Sequence, residues 1–157
     1  MKRILTVSVI CVLVMLMLTA CGKKTALTND EFIKKAQDNG MITEDQAEQY
    51  SGYDHVKSVT TAGIVDGNDV KWTCDFMIAV DESKAKEMFE NNKTTFENST
   101  DGTTSSSSVN MGNYNTFELN ANGKYMYLCR VDNTLVYFNV DEAYKDDAKK
   151  FIKALGY

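Results

Sequence analysis

Cys74 and Cys129 are the residues of this sequence with the clearest capacity for covalent chemistry. Each lies in a stretch that alternates apolar and other residues, which is typical of a β-strand. Outside the cytoplasm, two thiols on strands of one sheet can oxidise to a disulfide if their Cα atoms come within about 7 Å. Cys74 falls on the apolar face of its strand, but the pattern leaves the orientation of Cys129 open. The sequence therefore predicts either a disulfide or two buried thiols.

His55 is the only histidine and the one candidate for a general base. Asp54 precedes it, and Ser51 and Ser58 lie nearby, so a hydrolase that uses His55 is one hypothesis. The chain has no G-x-S-x-G turn, and a single histidine beside a turn is usually a solvated surface residue. We therefore expect no catalytic residue.

Metal sites are also not predicted. A structural zinc site needs four cysteine or histidine ligands. The mature domain offers only three candidates, namely His55, Cys74 and Cys129. The acidic turn at 66–69 lacks the alternating ligands and the terminal Glu of a calcium-binding loop. We expect neither a metal nor another cofactor.

Four tyrosines offer a binding surface on the predicted sheet. An exposed row of aromatic rings can stack on sugar rings or hold a partner protein. Tyrosine is also a good cross-strand pairing residue, so packing within the sheet is the alternative. The candidates are Tyr114, Tyr125, Tyr127 and Tyr137.

The N-terminus has the layout of a secretion signal. The cationic residues Lys2 and Arg3 precede an apolar tract over 4–18, which is shorter than the roughly 20 residues that span a bilayer. The tract ends in Leu18-Thr19-Ala20-Cys21, which resembles the lipobox of bacterial lipoproteins. The resemblance covers residues 1–21. It implies that the signal peptide, residues 1–20, is removed and that the Cys21 thiol carries diacylglycerol.

Lipidation would place the protein on the extracytoplasmic side of the cell membrane. Two acyl chains on one residue hold a protein durably, and Lys23 and Lys24 could each add about 1 kcal/mol by attraction to anionic lipids. The alternative is an ordinary secretory peptide cleaved after Ala20, which leaves Cys21 as a plain thiol. We expect the anchored form.

Charge and length limit the class of protein. Without Lys2 and Arg3, the 17 basic residues become 15, against 22 acidic ones, so the mature chain carries a net charge of −7. A net-acidic surface repels phosphate backbones, so we expect no nucleic-acid partner. Residues 21–27 form a short tether, and residues 28–157 are long enough to fold as one domain.

Helix signals flank the predicted strands. Thr28 and Glu31 form a capping box that begins a helix, and the same pattern at 43–46 predicts a second, shorter helix that ends at Gly52. Asp81 can cap a third helix, and a fourth begins at Asp141. Five strands are expected, over 56–65, 70–80, 113–119, 125–131 and 135–140. The Ser-rich segment 99–113 indicates a mobile loop or a weak edge strand.

This order of elements predicts an α+β fold, with an antiparallel sheet of about five strands and helices packed on one face. In element order alone it is similar to TATA-binding-protein-like and cystatin-like folds, and that similarity implies no functional residue. The first functional hypothesis is a non-catalytic module that contacts another envelope protein or a glycan. The second is an accessory lipoprotein of a transporter, which binds a small ligand or peptide.

Overall fold

The computed structural model describes residues 23–100 and 105–157. Its elements are α1 (Asn29–Asp38), β1 (Ile42–Asp45), β2 (Val56–Asp66), β3 (Asp69–Ala79), α2 (Glu82–Asn98), β4 (Ser105–Met111), β5 (Tyr114–Ala121), β6 (Lys124–Val131), β7 (Thr134–Asp141), a short 3-10 turn (Glu142–Tyr144) and α3 (Lys145–Leu155). The seven strands form one antiparallel sheet in the order β1-β2-β3-β7-β6-β5-β4. The α+β class with an antiparallel sheet is therefore confirmed.

The predicted caps explain where α1 and α2 begin and where α3 ends. The helix expected to begin at Asp141 begins instead at Lys145, after the 3-10 turn, and Asp141 makes no capping hydrogen bond. Thr28 accepts from the backbone N–H of Glu31 at 3.3 Å, while Glu31 accepts from the N–H of Thr28 at 2.8 Å, so the capping box is complete. Asp81 accepts from the N–H of Lys84 at 2.8 Å at the start of α2. Gly156 ends α3 with a φ of 86°, a left-handed conformation that favours glycine. None of the helices among the described residues is both long and apolar enough to cross a membrane.

The predicted second helix at 43–52 is wrong. Residues Ile42–Asp45 form the edge strand β1, and turns follow until β2 begins. Asp45, at the end of β1, accepts from the backbone N–H of Ala47 at 2.9 Å, which stabilises the turn that follows. The N–H of Gln46 donates instead to the carbonyl of Val59. Pairing with β2 therefore overrides the local helix signal.

Both sheet faces are covered, which corrects the prediction of helices on one face. Trp72, Cys74 and Phe76 of β3 lie on the side that α1 and α3 cover, which we call the α1/α3 face. Met77 and Ala79 of the same strand lie on the other side, under α2, which we call the α2 face. The sheet is thus the middle of three layers, unlike the expected cystatin-like or TATA-binding-protein-like shape, in which a sheet wraps one long helix.

The two faces hold separate cores. On the α1/α3 face, Phe32 stacks on Phe76 with ring centroids 4.7 Å apart, and Phe151 meets Phe138 edge-on at 6.4 Å. On the α2 face, apolar side chains of the helix pack on the central strands; the buried ones are Ala85, Phe89 and Phe96. A sheet buried on both sides explains why β6 is almost entirely buried.

The outermost strand on one side, β4, has only β5 as a neighbour, and all seven of its residues are exposed. The weak edge strand expected within 99–113 is therefore confirmed over Ser105–Met111. Residues 101–104 of that segment lie outside the described residues. The sheet has two strands more than the five expected, because β4 was expected only as an alternative to a loop and β1 lies where a helix was predicted.

Candidate functional site

The four candidate tyrosines do not form one exposed row, which agrees with the alternative of packing within the sheet. Tyr125 and Tyr127 are buried on the α1/α3 face, and burial raises the pKa of both phenols. Tyr137 lies on the opposite, α2 face, with its ring centroid 4.9 Å from that of Phe96. Tyr114 is half-buried at the edge of the α1/α3 face. The rings serve sheet packing instead.

Cys74 and Cys129 are both buried free thiols, so the second of the two alternatives is found and no disulfide is formed. They share the α1/α3 face, but β7 runs between them: Cys74 pairs with Phe138, and Cys129 pairs with Val136. Two strand spacings amount to about 9–10 Å, beyond the roughly 7 Å that a disulfide allows. Burial raises the pKa of Cys129 to about 11 and that of Cys74 well above its usual value. Such thiols are poor nucleophiles.

The remaining predicted positions offer no other site. Cys21 lies outside the described residues. His55 is exposed at the turn that precedes β2, where its carbonyl accepts from the N–H of Val80. The residues at 23–100 and 105–157 contain no group of three or more His, Cys, Asp or Glu that could hold a metal ion.

A polar cleft opens where α2 stops covering the sheet. The helix packs over β6, β7 and β3 but leaves β4 uncovered, so a groove remains between the helix and this edge. The cleft has a volume of about 420 Å³. Its lining combines α2, the β4–β5 hairpin and β6: Lys86, Glu90, Asn110, Gly112, Asn115 and Arg130. We call it the Arg130 cleft.

Arg130 forms the floor of this cleft and is 1% exposed. Its Nε donates to Oδ1 of Asn115 at 2.6 Å, and its Nη1 donates to the carbonyl of Asp132 at 2.8 Å and to Glu82 at 3.4 Å. Asn115 is held in turn, since its Nδ2 donates to Asn110 at 2.7 Å. The guanidinium plane is therefore fixed by β5, by the turn between β6 and β7, and by α2.

One end of that guanidinium has no protein partner. The hydrogen bonds of Arg130 within the described residues use Nε and Nη1, which leaves the Nη2 amino group unbonded. Among the described residues Nη2 has no hydrogen-bond partner and is not completely enclosed, and Arg130 lines the cleft. A buried cation with free N–H donors is a site for an anionic oxygen.

The charges around the cleft favour a ligand with groups of both signs. Oε1 of Glu82 lies 3.0 Å from Nζ of Lys86 and 3.4 Å from Nη1 of Arg130, so two cations share one carboxylate. Hydrogen bonding and attraction from Lys86, and then from Arg130, lower the pKa of Glu82. Glu90 lies exposed at the rim, one helical turn beyond Lys86. The floor therefore attracts an anionic group, while the rim can accept from an ammonium or amide group.

A second cleft, of about 270 Å³, lies where α3 meets the end of α1 and β3. Trp72, Met41 and Phe151 supply its apolar wall. Its charged side chains, Lys150 and Asp147, pair with each other at 2.9 Å. Because this pair leaves no buried polar group in need of a partner, the Arg130 cleft is the better candidate site.

Sequence reasoning missed Arg130 as a site residue. The available signal was an arginine between the apolar residues Cys129 and Val131 on a predicted strand, since arginine is almost never buried without partners. Its partners come from 15 and 48 residues away along the chain. No short sequence pattern predicts an arginine whose hydrogen-bond partners lie so far away in the chain.

Comparison with known proteins adds a distant likeness to a solved structure. No family model and no curated protein matches the chain. Among solved structures, the chain is similar to the extracellular domain of PknH from Mycobacterium tuberculosis, with 11% sequence identity and a TM-score of 0.40. The match covers 83% of this chain and 92% of that one. A likeness this distant defines no function.

Proposed function

We propose that this protein is a lipoprotein, anchored by diacylglycerol on Cys21 to the extracytoplasmic side of the cell membrane, and that its domain is a non-catalytic binding module. The ligand is a small molecule that carries an anionic group, and it binds in the Arg130 cleft. The observation that carries this proposal is the buried guanidinium of Arg130, whose Nη2 has no partner among the described residues. A small-ligand module of this kind is compatible with an accessory role beside a transporter.

The anchor is supported by the signal layout and by Leu18-Thr19-Ala20-Cys21. The test is the intact mass and the detergent partitioning of the protein from its native host, beside a Cys21→Ala variant. We expect a diacylglycerol mass on a chain that begins at Cys21, and loss of both that mass and the detergent partitioning in the variant. A soluble, unmodified wild-type chain would refute the anchor and leave the binding module untouched.

Ligand binding is tested with simple anions, because the natural ligand is unidentified. Inorganic phosphate and acetate would be titrated while the NMR signals of the Arg130 side chain and of the backbone amides are followed. We expect saturable shifts at Arg130, at the Asn115 side chain and at Gly112, since these groups line the cleft. Addition of glycine should give larger shifts at Glu90 than acetate does, because its ammonium group is attracted to this carboxylate.

Two lysines give a matched pair of variants. Lys86→Ala removes a rim cation that pairs with Glu82 at an i,i+4 spacing, whereas Lys34→Ala removes an equivalent i,i+4 pair with Asp38 on α1, away from the cleft. We expect weaker anion binding in Lys86→Ala and unchanged binding in Lys34→Ala. Equal binding in both variants, or shifts that never saturate, would count against the cleft as a ligand site.

A second candidate function is contact with an envelope protein through the free edge of β4. Its seven residues are uncharged and exposed, and an unprotected edge strand can accept a strand from another chain. In an antiparallel ladder the hydrogen-bonded pairs alternate, so counting back from the Met111–Tyr114 pair at the hairpin turn, the N–H of Ser108 faces away from β5. Ser108→Pro would therefore remove one backbone N–H from the free edge. A partner that the wild-type protein captures and this variant does not would favour the β4 edge as the contact site. A partner that both proteins capture would exclude the β4 edge as the contact site.

A further inference from the structure

The chain that follows the proposed lipid site is attached to the folded domain. The backbone N–H of Lys24 donates to Oδ1 of Asn113 at 3.2 Å, and Nδ2 of Asn113 donates back to the carbonyl of Lys24 at 2.7 Å. The N–H of Leu27 donates to the hydroxyl of Tyr157 at 3.0 Å. We call residues 24–27 the N-terminal strap.

Side chains of the strap add to these backbone bonds. The Lys24 ammonium donates to the carbonyl of Gly156 at 3.1 Å and lies 5.1 Å from the ring centroid of Tyr114. Ala26 and Leu27 pack against the core of the α1/α3 face. The strap is therefore a docked part of the domain and does not behave as a free linker.

The strap contacts one particular end of the sheet. Asn113 belongs to the turn between β4 and β5, and it donates to Asp132, in the turn between β6 and β7, at 3.0 Å. The C-terminal Tyr157 meets the same end, where its hydroxyl lies 2.6 Å from that of Thr134 at the start of β7. We call this the Asn113 end. The hairpin turns at 66–69 and 121–124 lie at the opposite end.

Covalent geometry links this end to the lipid. Only Gly22 and Lys23 separate Cys21 from Lys24, and each residue spans at most about 3.6 Å, so the two Cα atoms lie within about 11 Å of each other. A diacylglycerol on Cys21 lies in the bilayer, so Lys24 and the groups bonded to it are held at the headgroups. A free tether would allow every orientation, whereas the docked strap does not.

The surface at this end suits an anionic bilayer. Met111, next to the β4–β5 turn, and Val109 on the same side of β4 are large apolar side chains that are 44% and 42% exposed. The Lys24 ammonium lies over the ring of Tyr114, and the Tyr114 hydroxyl donates to Sδ of Met111 at 3.5 Å, while Lys23 precedes Lys24 in the chain. Basic residues at this position are attracted to anionic lipids. Apolar side chains flanked by lysines are typical of groups that contact the membrane interface.

We propose that the strap fixes the orientation of the domain, so that the Asn113 end, with Met111 and Val109, rests on anionic headgroups and the opposite end faces away from the membrane. This inference rests on the proposed lipid anchor at Cys21. It also places the mouth of the Arg130 cleft, which Gly112 borders, close to the membrane surface.

The experiment uses the lipidated protein in vesicles of phosphatidylcholine and phosphatidylglycerol. A cysteine is introduced at Met111→Cys or, as the matched control at the opposite end, at exposed Val70→Cys, and is labelled with an environment-sensitive fluorophore. The native thiols Cys74 and Cys129 are buried and do not compete for the label. Lipids with a headgroup nitroxide should quench most of the emission at position 111 and little of it at position 70.

Loss of the strap should abolish this difference. Asn113→Ala removes both bonds to Lys24, and Tyr157→Phe removes the bond to Leu27 while it keeps the aromatic ring in place. We expect the quenching at positions 111 and 70 to converge in either variant. If Asn113→Ala does not fold, Tyr157→Phe still tests whether the strap orients the domain.

The outcomes separate the two proposals. A lipidated protein with equal quenching at both positions, or with stronger quenching at position 70, would overturn the orientation and leave the anchor standing. A protein whose mass shows no lipid and that does not bind vesicles would overturn the anchor itself, and the orientation with it.

Discussion

Asp75 is a single residue whose charge the fold disfavours. Its carboxylate lies on the α2 face of β3, where it accepts from the Thr61 hydroxyl at 2.7 Å. Burial raises the pKa of this carboxyl above its ordinary value of 3.8, and the hydrogen bond from Thr61 opposes the shift only in part. The folded state therefore binds this proton more tightly than the unfolded chain does.

Asp75→Asn should stabilise the protein at about pH 7, because the amide keeps an acceptor for Thr61 and removes the buried charge. Below the ordinary pKa the carboxyl is protonated in both states, so the gain should vanish at about pH 3 and appear as the pH rises through the raised folded pKa. Thermal melts across this range measure it. Asp54→Asn, an exposed control, should show no such trend; a gain that does not depend on pH would contradict the assignment to charge.

Arg130 is the second residue with a measurable consequence. Arg130→Met should lower the free energy of unfolding by about 1–3 kcal/mol, because the buried side chain of Asn115 loses its main partner while Met fills much of the space. Urea denaturation measures the change. A variant as stable as the wild type would show that the guanidinium is kept for binding alone.

At the scale of elements, the two Thr-x-x-Glu/Gln patterns show that a start signal does not suffice for a helix. Thr28 begins α1, whose apolar residues Phe32 and Ala36 reach the core. The pattern at 43–46 is followed by mainly exposed residues and yields only a turn after β1. A helix forms where its apolar side can be buried, because capping contributes too little alone.

Thr28→Ala should cost about 1 kcal/mol of stability, since it removes the N-cap acceptor of α1. Thr43→Ala, the equivalent change in the other pattern, should cost less than about 0.5 kcal/mol, because no helix begins there. Chemical denaturation of both variants gives the comparison. Equal losses would indicate that the 43–46 segment is helical in solution.

At the scale of the whole molecule, the sheet order keeps the two core thiols apart. Cys74 and Cys129 lie on one face with β7 between them. The domain is then held together by its two cores and needs no covalent link.

The melting temperature should therefore be the same with and without a reducing agent. A thiol reagent should fail to react with either cysteine until the protein is unfolded, because both are buried and the pKa of each is raised. A melting temperature that falls on reduction, or a mass lower by two hydrogen atoms under oxidising conditions, would reveal a disulfide between these cysteines and contradict the prediction.

Local patterns in the sequence were sufficient for several features. The caps at Thr28 and Asp81 and the left-handed Gly156 depend on side chains a few residues apart, and five strands show their alternation directly. The proposed lipid site at Cys21 is also a local motif, and it remains a prediction. The caps and the five strands depend on short stretches of chain, so the sequence alone determines them.

The tertiary structure decided everything that depends on which strands are neighbours. Strand order placed β7 between the thiols, and strand pairing turned 42–45 into β1. The alternation of side chains along a strand shows that the sheet has two faces, but it does not show which helix covers each face. We therefore could not predict the three layers, the burial of Tyr125 or the position of Tyr137 on the other face. Arg130 and the strap depend on contacts between residues far apart in the chain, and such contacts exist only once the sheet has assembled.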